Sequence, residues 1–183
     1  MIEPYSERWP GDFARIGRRL RGVLGDRALR IDHVGSTAVP GLDAKDRIDV
    51  QVVVADLAEG NPLGGAGFVE FAPVRDHEPP GAETAPNGWV KRLFQSAANE
   101  RAANVHVRID GRPNVRYALL FRDYLRTHPA AADAYADLKR RLADELRDIG
   151  RYSDVKDAGC DLIFVAAEDW ATATSWAPGP SDA

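Results

Sequence analysis

The sequence predicts an α+β domain of mixed α/β character, a mixed β-sheet covered by helices and followed by a helical C-terminal segment. Three observations predict it. Five short runs rich in β-branched and other apolar residues are separated by Gly, Pro and polar punctuation, the pattern of strands and turns. At the N-terminus and again from residue 115 onward, apolar side chains recur three and four residues apart, the pattern of amphipathic helices. The 183 residues, 44% hydrophobic and 28% charged, suffice for one well-buried core and hardly for two.

Taken in order, Pro10 opens a helix whose apolar positions Phe13, Ile16, Leu20 and Leu24 share a face, and Gly25 stops it, so residues 10–24 are expected to be helical. Residues 28–34 read as a strand delivering a small-residue turn, Gly35, Ser36 and Thr37. Residues 47–54 form a second strand, in which alternation puts Asp49 and Gln51 on one face. A helical or turn-like stretch over 56–65 precedes a third strand at 68–71. Residues 75–88, rich in proline and acids, are expected to be an ordered surface loop or a mobile flap, and are the best candidate for a lid. Residues 89–95 and 104–109 then read as two antiparallel strands, the second with His106 between valines.

From Val115 the pattern is helical, with Tyr117, Leu120, Phe121, Tyr124, Leu125 and His128 on one broad face up to Pro129. A second helix is expected over 130–148, where Lys139, Arg140, Arg141 and Arg147 alternate with acids as on a solvated face. Gly150 is expected to stop the chain before a cap at Tyr152-Ser153-Asp154 and a last helix over 154–172, with Cys160 as packing within it. One domain over residues 3–173 is expected. The tail 174–183, with its prolines, glycine and small polar residues, is expected to be flexible.

Lys plus Arg number 24 against 28 Asp plus Glu, and a net charge of -4 demands neither a nucleic acid nor a membrane as partner. A single cysteine excludes an intrachain disulfide and a cysteine-built zinc cage, as suits a reducing cytosol. The first residues lack the basic region and apolar run of a secretory signal. No apolar stretch approaches the roughly 20 residues needed to span a bilayer, so a soluble, cytoplasmic protein is expected.

The most informative constellation is His33-Val34-Gly35-Ser36-Thr37 followed by Asp49-Val50-Gln51-Val52. A turn with little side-chain bulk lets backbone N–H groups approach a phosphate, and a carboxylate on the next strand can hold Mg²⁺ against the same phosphates. A Gly-Ser turn after a strand, followed by an acid, an apolar residue and a second acid, resembles nucleotidyltransferases of the polymerase β type, with Gln51 standing at the second acid. The longer string His33-Val34-Gly35-Ser36-Thr37-Ala38-Val39-Pro40-Gly41-Leu42 with Ile48-Asp49-Val50-Gln51-Val52 is closely similar to the signature of the GrpB family. Glu3-Pro4-Tyr5 with Trp9-Pro10, Asn104-Val105-His106-Val107, Leu120-Phe121-Arg122-Asp123-Tyr124-Leu125-Arg126, His128-Pro129, Tyr135 with Leu138-Lys139, and Tyr152 with Lys156 extend the resemblance over residues 3–165.

That resemblance implies a nucleotidyltransferase-like fold, and some family members occur as a domain fused behind dephospho-CoA kinase. It makes a nucleotide or a phosphorylated small molecule the expected ligand. Gly35, Ser36 and Thr37 would contact its phosphate. Asp49, Gln51 and His106 would act as catalytic groups and as ligands to Mg²⁺ or Mn²⁺, with His33 a further acid–base candidate. Of Lys91 and Arg92, adjacent on a strand, at most one can face a ligand. Arg122 and Arg126, one helical turn apart, would present two cations to a phosphate, and Lys156 matches a family position. A neutral Gln51 cannot offset metal charge and His106 favours softer metals than Mg²⁺, so a two-magnesium arrangement reads as incomplete.

Three functions stay open on these residues. One is a nucleotidyltransferase or related phosphate-activating transferase. The second is a non-catalytic nucleotide-sensing or assembly module with a protein partner. The third is a metal-independent transferase that uses an activated substrate, a tRNA-linked one included, with His106 or His33 as acid–base group. Ser36 and Thr37 read as anion contacts rather than nucleophiles, because the sequence marks no base for either. Nucleic acid stays open as a partner although no basic stripe points to it.

Overall fold

The computed structural model describes residues 1–146 and 149–183. Helix α1 spans Trp9–Leu24, with a proline near its start where a missing N–H costs little, and Gly25 follows it with φ 56°. Strand β1, Arg30–Val34, leads through a 3₁₀ turn at Ser36–Ala38 to β2, Ile48–Val54. A short helix α2, Pro62–Gly65, precedes β3, Phe68–Arg75, then β4, Val90–Ser96, and β5, Ala103–Ile109. Helices α3, Pro113–Thr127, α4, Pro129–Glu145, and α5, Ile149–Thr174, complete the chain.

The five strands form one mixed sheet in the order β1-β2-β5-β4-β3. Only the β2–β5 pair is parallel, and β4 and β5 pair antiparallel as their short connection requires. Strand β2 is central, and its valines at 50, 52, 53 and 54 are fully buried, each contributing roughly 1.5–3 kcal/mol of apolar burial. Register divides the sheet into two unlike faces. His33 opposes Val50 and Ile31 opposes Val52, and these join Val105, Val107 and Phe94 beneath Trp9, Phe13, Leu20 and Leu24 of α1. The other face carries Asp49 and Gln51 opposite Asn104 and His106, with Arg108 and Lys91 beyond. Packing of Val34 and Val53 against Val115 and Leu119 seats α3 over that polar face, and α5 packs on α3 and α4.

Three expectations change on the structure. Helix α5 begins at Ile149 and runs through Gly150, five residues before the expected cap at 154. A helical glycine costs about 1 kcal/mol, and burial of Tyr152 offsets it. Residues 147 and 148, the end of the second expected helix, lie outside the described residues. Arg75, expected to open the loop, ends β3 instead, and residues 76–88 make defined contacts: Asp76 donates its N–H to Trp89 O (2.8 Å), Trp89 is fully buried and donates to Glu83 O (3.2 Å), and His77 bonds Asp161 of α5 (2.7 Å).

The tail, expected to be flexible, lies along the exposed edge of β1. Ser181 Oγ accepts the Ile31 N–H (2.8 Å) and donates to Ile31 O (3.0 Å), while Asp182 accepts from the His33 N–H (2.9 Å) and from Arg122 (2.8 Å). Composition misleads here because an edge strand offers unpaired backbone groups to whatever polar segment reaches it. Removal of residues 179–183 strips these partners and leaves buried Arg122 without Asp182. It is expected to cost about 2–4 kcal/mol, read as a lower urea midpoint with an unchanged denaturant slope.

Candidate functional site

The polar sheet face opens, at the Ser36 turn, into a cavity of about 270 Å³ closed on its far side by α4 and α5. Ser36, Lys45, Arg47, Asp49, Lys139 and Lys156 line it, so four cations face one carboxylate. Lys139 is the most buried of the four. It is only 3% exposed, donates to Ser36 Oγ (2.9 Å) and to Asp43 O, and lies over the Tyr135 ring at 4.7 Å. Burial lowers its pKa to about 8. Among the described residues no carboxylate comes within ion-pair distance of it. Lys156 donates to Asp157 (2.8 Å), and Lys45 sits 4.3 Å over the Tyr152 ring.

Asp49 is held by two side chains. Its Oδ1 accepts from Asn104 Nδ2 (2.8 Å) and faces His106 Nε2 (3.4 Å), while Gln95 in turn donates to Asn104 (3.1 Å). Burial pushes the Asp49 carboxyl up, and the hydrogen bonds from His106 and Asn104 with the charge of Lys91 outweigh it, so it stays below the usual carboxylate range. His106 is itself shifted down by burial, which keeps it neutral at pH 7, so it meets Asp49 as a hydrogen-bond donor and not as a cation. Its Nδ1 is buried without a partner.

Gly35 does more than thin the turn. Its φ of 69° with ψ of -172° is a region open essentially to glycine. A Cβ there would stand 2.6 Å from Asp49 Oδ2. Gly35→Ala therefore should lose about 1–3 kcal/mol of stability and push Asp49 out of its seat. Thermal unfolding together with the Asp49 carboxyl ¹³C shift checks both effects.

The structure brings some expected residues together and sends others elsewhere. Gly35, Ser36, Thr37, Asp49 and Lys156 line the cavity. His106 reaches it through Asp49. Gln51 shares that face yet is fully buried, accepting from Arg108 Nη1 (2.7 Å) and donating to Val115 O (3.5 Å). His33 lies on the opposite, apolar face: its ring stacks on Phe13 at 4.7 Å and its Nε2 bonds Thr37 Oγ1 (3.0 Å). Burial, aided by Arg126, lowers its pKa to about 4.

The four other cations divide along the same geometric lines. Arg92 also belongs to the apolar side, paired with Glu70, whereas Lys91 shares the face of Asp49 but is taken up by Asp76. Arg122 and Arg126 do not line the cavity. Arg122 is buried against His33 O (3.0 Å) and Asp182, and Arg126 donates to Ala38 O (2.9 Å), so both pin the Ser36 turn from behind.

Lys139, part of the family resemblance but expected on a solvated face, is given no role in the site by the sequence. A signal existed: Ala132, Ala136 and Tyr135 precede it by seven, three and four positions, and all are buried on the same stripe of α4. Lys45, Arg47 and Asn104 had no such marker, because strand ends and loops carry no period. Asp76 was missed for the same reason, whereas Arg108 alternates with Asn104 and His106 on β5 and its role depends on Gln51 and Asp76, which are distant in sequence.

The profile of the GrpB protein family matches residues 1–165. The chain belongs to the GrpB family. The crystal structure of conserved protein GrpB from Enterococcus faecalis is similar to it at a TM-score of 0.75 and 28% identity, covering 93% of this chain and 99% of that one. A UPF0157 protein of Deinococcus radiodurans is 36% identical over 92% of this chain and 82% of its own length. A dephospho-CoA kinase of Mycolicibacterium paratuberculosis is 38% identical over 97% of this chain but only 48% of its own, so the GrpB chain spans about half the length of that relative. The Cid1 poly(U) polymerase, solved with MgGTP, matches at a TM-score of 0.51 and 15% identity over 78% of this chain and 44% of its own. At that identity the likeness is one of fold, and the fold is nucleotidyltransferase-like. Among the described residues no helix is long and apolar enough to cross a membrane.

Proposed function

We propose that this GrpB chain is a nucleotidyltransferase-like protein that binds the phosphate groups of a nucleotide or another phosphorylated small molecule in the cavity between the Ser36 turn and helices α4 and α5. One observation carries the reading. A buried ammonium, Lys139, touches Ser36 Oγ and has no carboxylate partner among the described residues. Withdrawing an ion from water costs several kcal/mol unless an opposite charge meets it, and the open side of the cavity is where that charge would come from. Lys45, Arg47 and Lys156 extend the same field, and three or four cations suit the charge of a polyphosphate.

A second reading, a nucleotide-sensing or assembly module, draws on the relatives named dephospho-CoA kinase, in which the matching segment is about half of a longer chain. Calorimetric titration of ATP, CTP, GTP, UTP and inorganic triphosphate into the native protein and Lys156→Met tests the first reading. Binding of the triphosphate, weakened about tenfold in the variant, supports it. No heat with any of the five, with or without Mg²⁺, removes it together with nucleotide sensing and leaves the assembly module.

A further inference from the structure

We infer that the cavity takes its phosphorylated ligand free of divalent metal, with fixed side-chain cations meeting the charge that metal ions would otherwise meet. This rests on the phosphate reading above and concerns how that ligand arrives. Two-metal phosphoryl chemistry needs two or three carboxylates converging on ions about 3.5–4 Å apart. On the polar sheet face Asp49, Gln51, Asn104 and His106 stand together across β2 and β5 with one carboxylate among the four, and the other carboxylate of that face, Asp32 opposite Gln51, is fully buried with both oxygens taken by Arg30. Among the described residues no group of three or more His, Cys, Asp or Glu is placed to hold a metal ion.

Most of the donors present are also engaged, Asp49 Oδ2 and His106 Nδ1 being the exceptions among the described residues. Asp49 Oδ1 accepts from Asn104 and faces His106, and its Oδ2 is seated against the bare Cα of Gly35. Gln51, fully buried, already gives its amide oxygen to Arg108. Behind both stands a buried trio, Lys91 and Arg108 against Asp76, which leaves one positive charge in excess. Lys91 and Arg108 are the cations that act on the His106 ring, whose Nδ1 is unpartnered. A divalent ion entering here would meet that excess charge with a single carboxylate to hold it. A free polyphosphate meets the reverse, since Lys45, Arg47, Lys139 and Lys156 outnumber the single lining carboxylate, Asp49. Coordination of Mg²⁺ removes two negative charges from the ligand and so weakens the attraction.

Titration of inorganic triphosphate and ATP into the full chain, once in EDTA and once in saturating Mg²⁺, tests the inference. The expected result is binding in EDTA at least as tight as in Mg²⁺. Binding that needs the metal, or that Mg²⁺ or Mn²⁺ tightens about tenfold, overturns it while leaving the phosphate site standing. No binding in either condition overturns the phosphate site and this inference with it.

Gln51→Asp supplies an independent arm. Arg108 should pair with the carboxylate so introduced, and Mn²⁺ water-proton relaxation should show no more bound ion than in the native protein. Ligand-dependent Mn²⁺ binding in the native chain, or a tight Mn²⁺ site in the folded variant, counts against the inference.

Discussion

Replacement of Lys139 by methionine is expected to weaken triphosphate binding by about ten- to a hundredfold while leaving the protein folded. The ammonium belongs to the most buried cation that lines the cavity, with Ser36 Oγ as its side-chain hydrogen-bond partner. A hydrogen bond to a charged group is worth about 1.5–3 kcal/mol, or roughly one to two powers of ten in affinity. Methionine keeps the alkyl stem that packs among Ala132, Tyr135 and Ala136, and it removes a buried charge, so the thermal midpoint should hold or rise.

The pH dependence follows from the same burial. The charge is present below the folded pKa of about 8 and absent above it. Native affinity is therefore expected to be level near neutrality and to fall as the pH rises through 8. The variant should lack that fall. For stability the sign is reversed relative to a paired lysine. The unfolded chain keeps this proton up to 10.5 and the folded chain releases it near 8, so native stability should gain between those values. Calorimetry across pH 6–10 and urea unfolding over the same range check the two signs.

Asp76→Ala should be the most destabilising single change outside the apolar core. Asp76 meets Arg108 through both oxygens (Nε–Oδ2 2.9 Å, Nη2–Oδ1 3.0 Å), also accepts from Lys91 and from Asn114 (3.1 Å), and is nearly buried. Burial pushes its carboxyl up, but the Arg108 and Lys91 charges win and hold it far below the usual range. Loss of the carboxylate strands two buried cations, for which about 3–5 kcal/mol is the usual cost, and frees the start of the 76–88 loop. Hydrogen exchange at the backbone N–H of residue 76, which donates to the Trp89 carbonyl, reports the loop separately from global unfolding. Because the folded carboxyl titrates below its ordinary 3.8, the native contribution is complete above that pH and is lost as the solution is made more acid. A Lys91→Met change added to Asp76→Ala should recover part of the loss, since the two residues touch and their effects cannot be independent.

What was legible beforehand divides along the range of the interactions. Strands β1, β2, β4 and β5 and helices α1 and α3 announced themselves because burial of one face imposes a period of two or 3.6 on the sequence that folds it. Alternation likewise put Asp49 and Gln51 on one face, and the Gly35-Ser36 turn beside them, before any contact was known. The limits appear where a residue's state depends on something distant. Gln51 has the spacing of a metal ligand, yet Arg108, 57 positions on, takes its oxygen. Arg122 and Arg126 have the spacing of an anion clamp, yet backbone carbonyls and Asp182 consume their donors.

By itself, then, the amino-acid sequence determined the family, the order of the elements and the face on which Asp49 stands, all of which follow from local periodicity and a contiguous motif. Only the tertiary structure decided which charges matter. Lys139 and Ser36 are 103 positions apart, and the tail reaches β1 from 150 away. A lysine's cost or value depends on how much water it loses and what replaces it, and that is settled by packing between segments that the sequence places far apart.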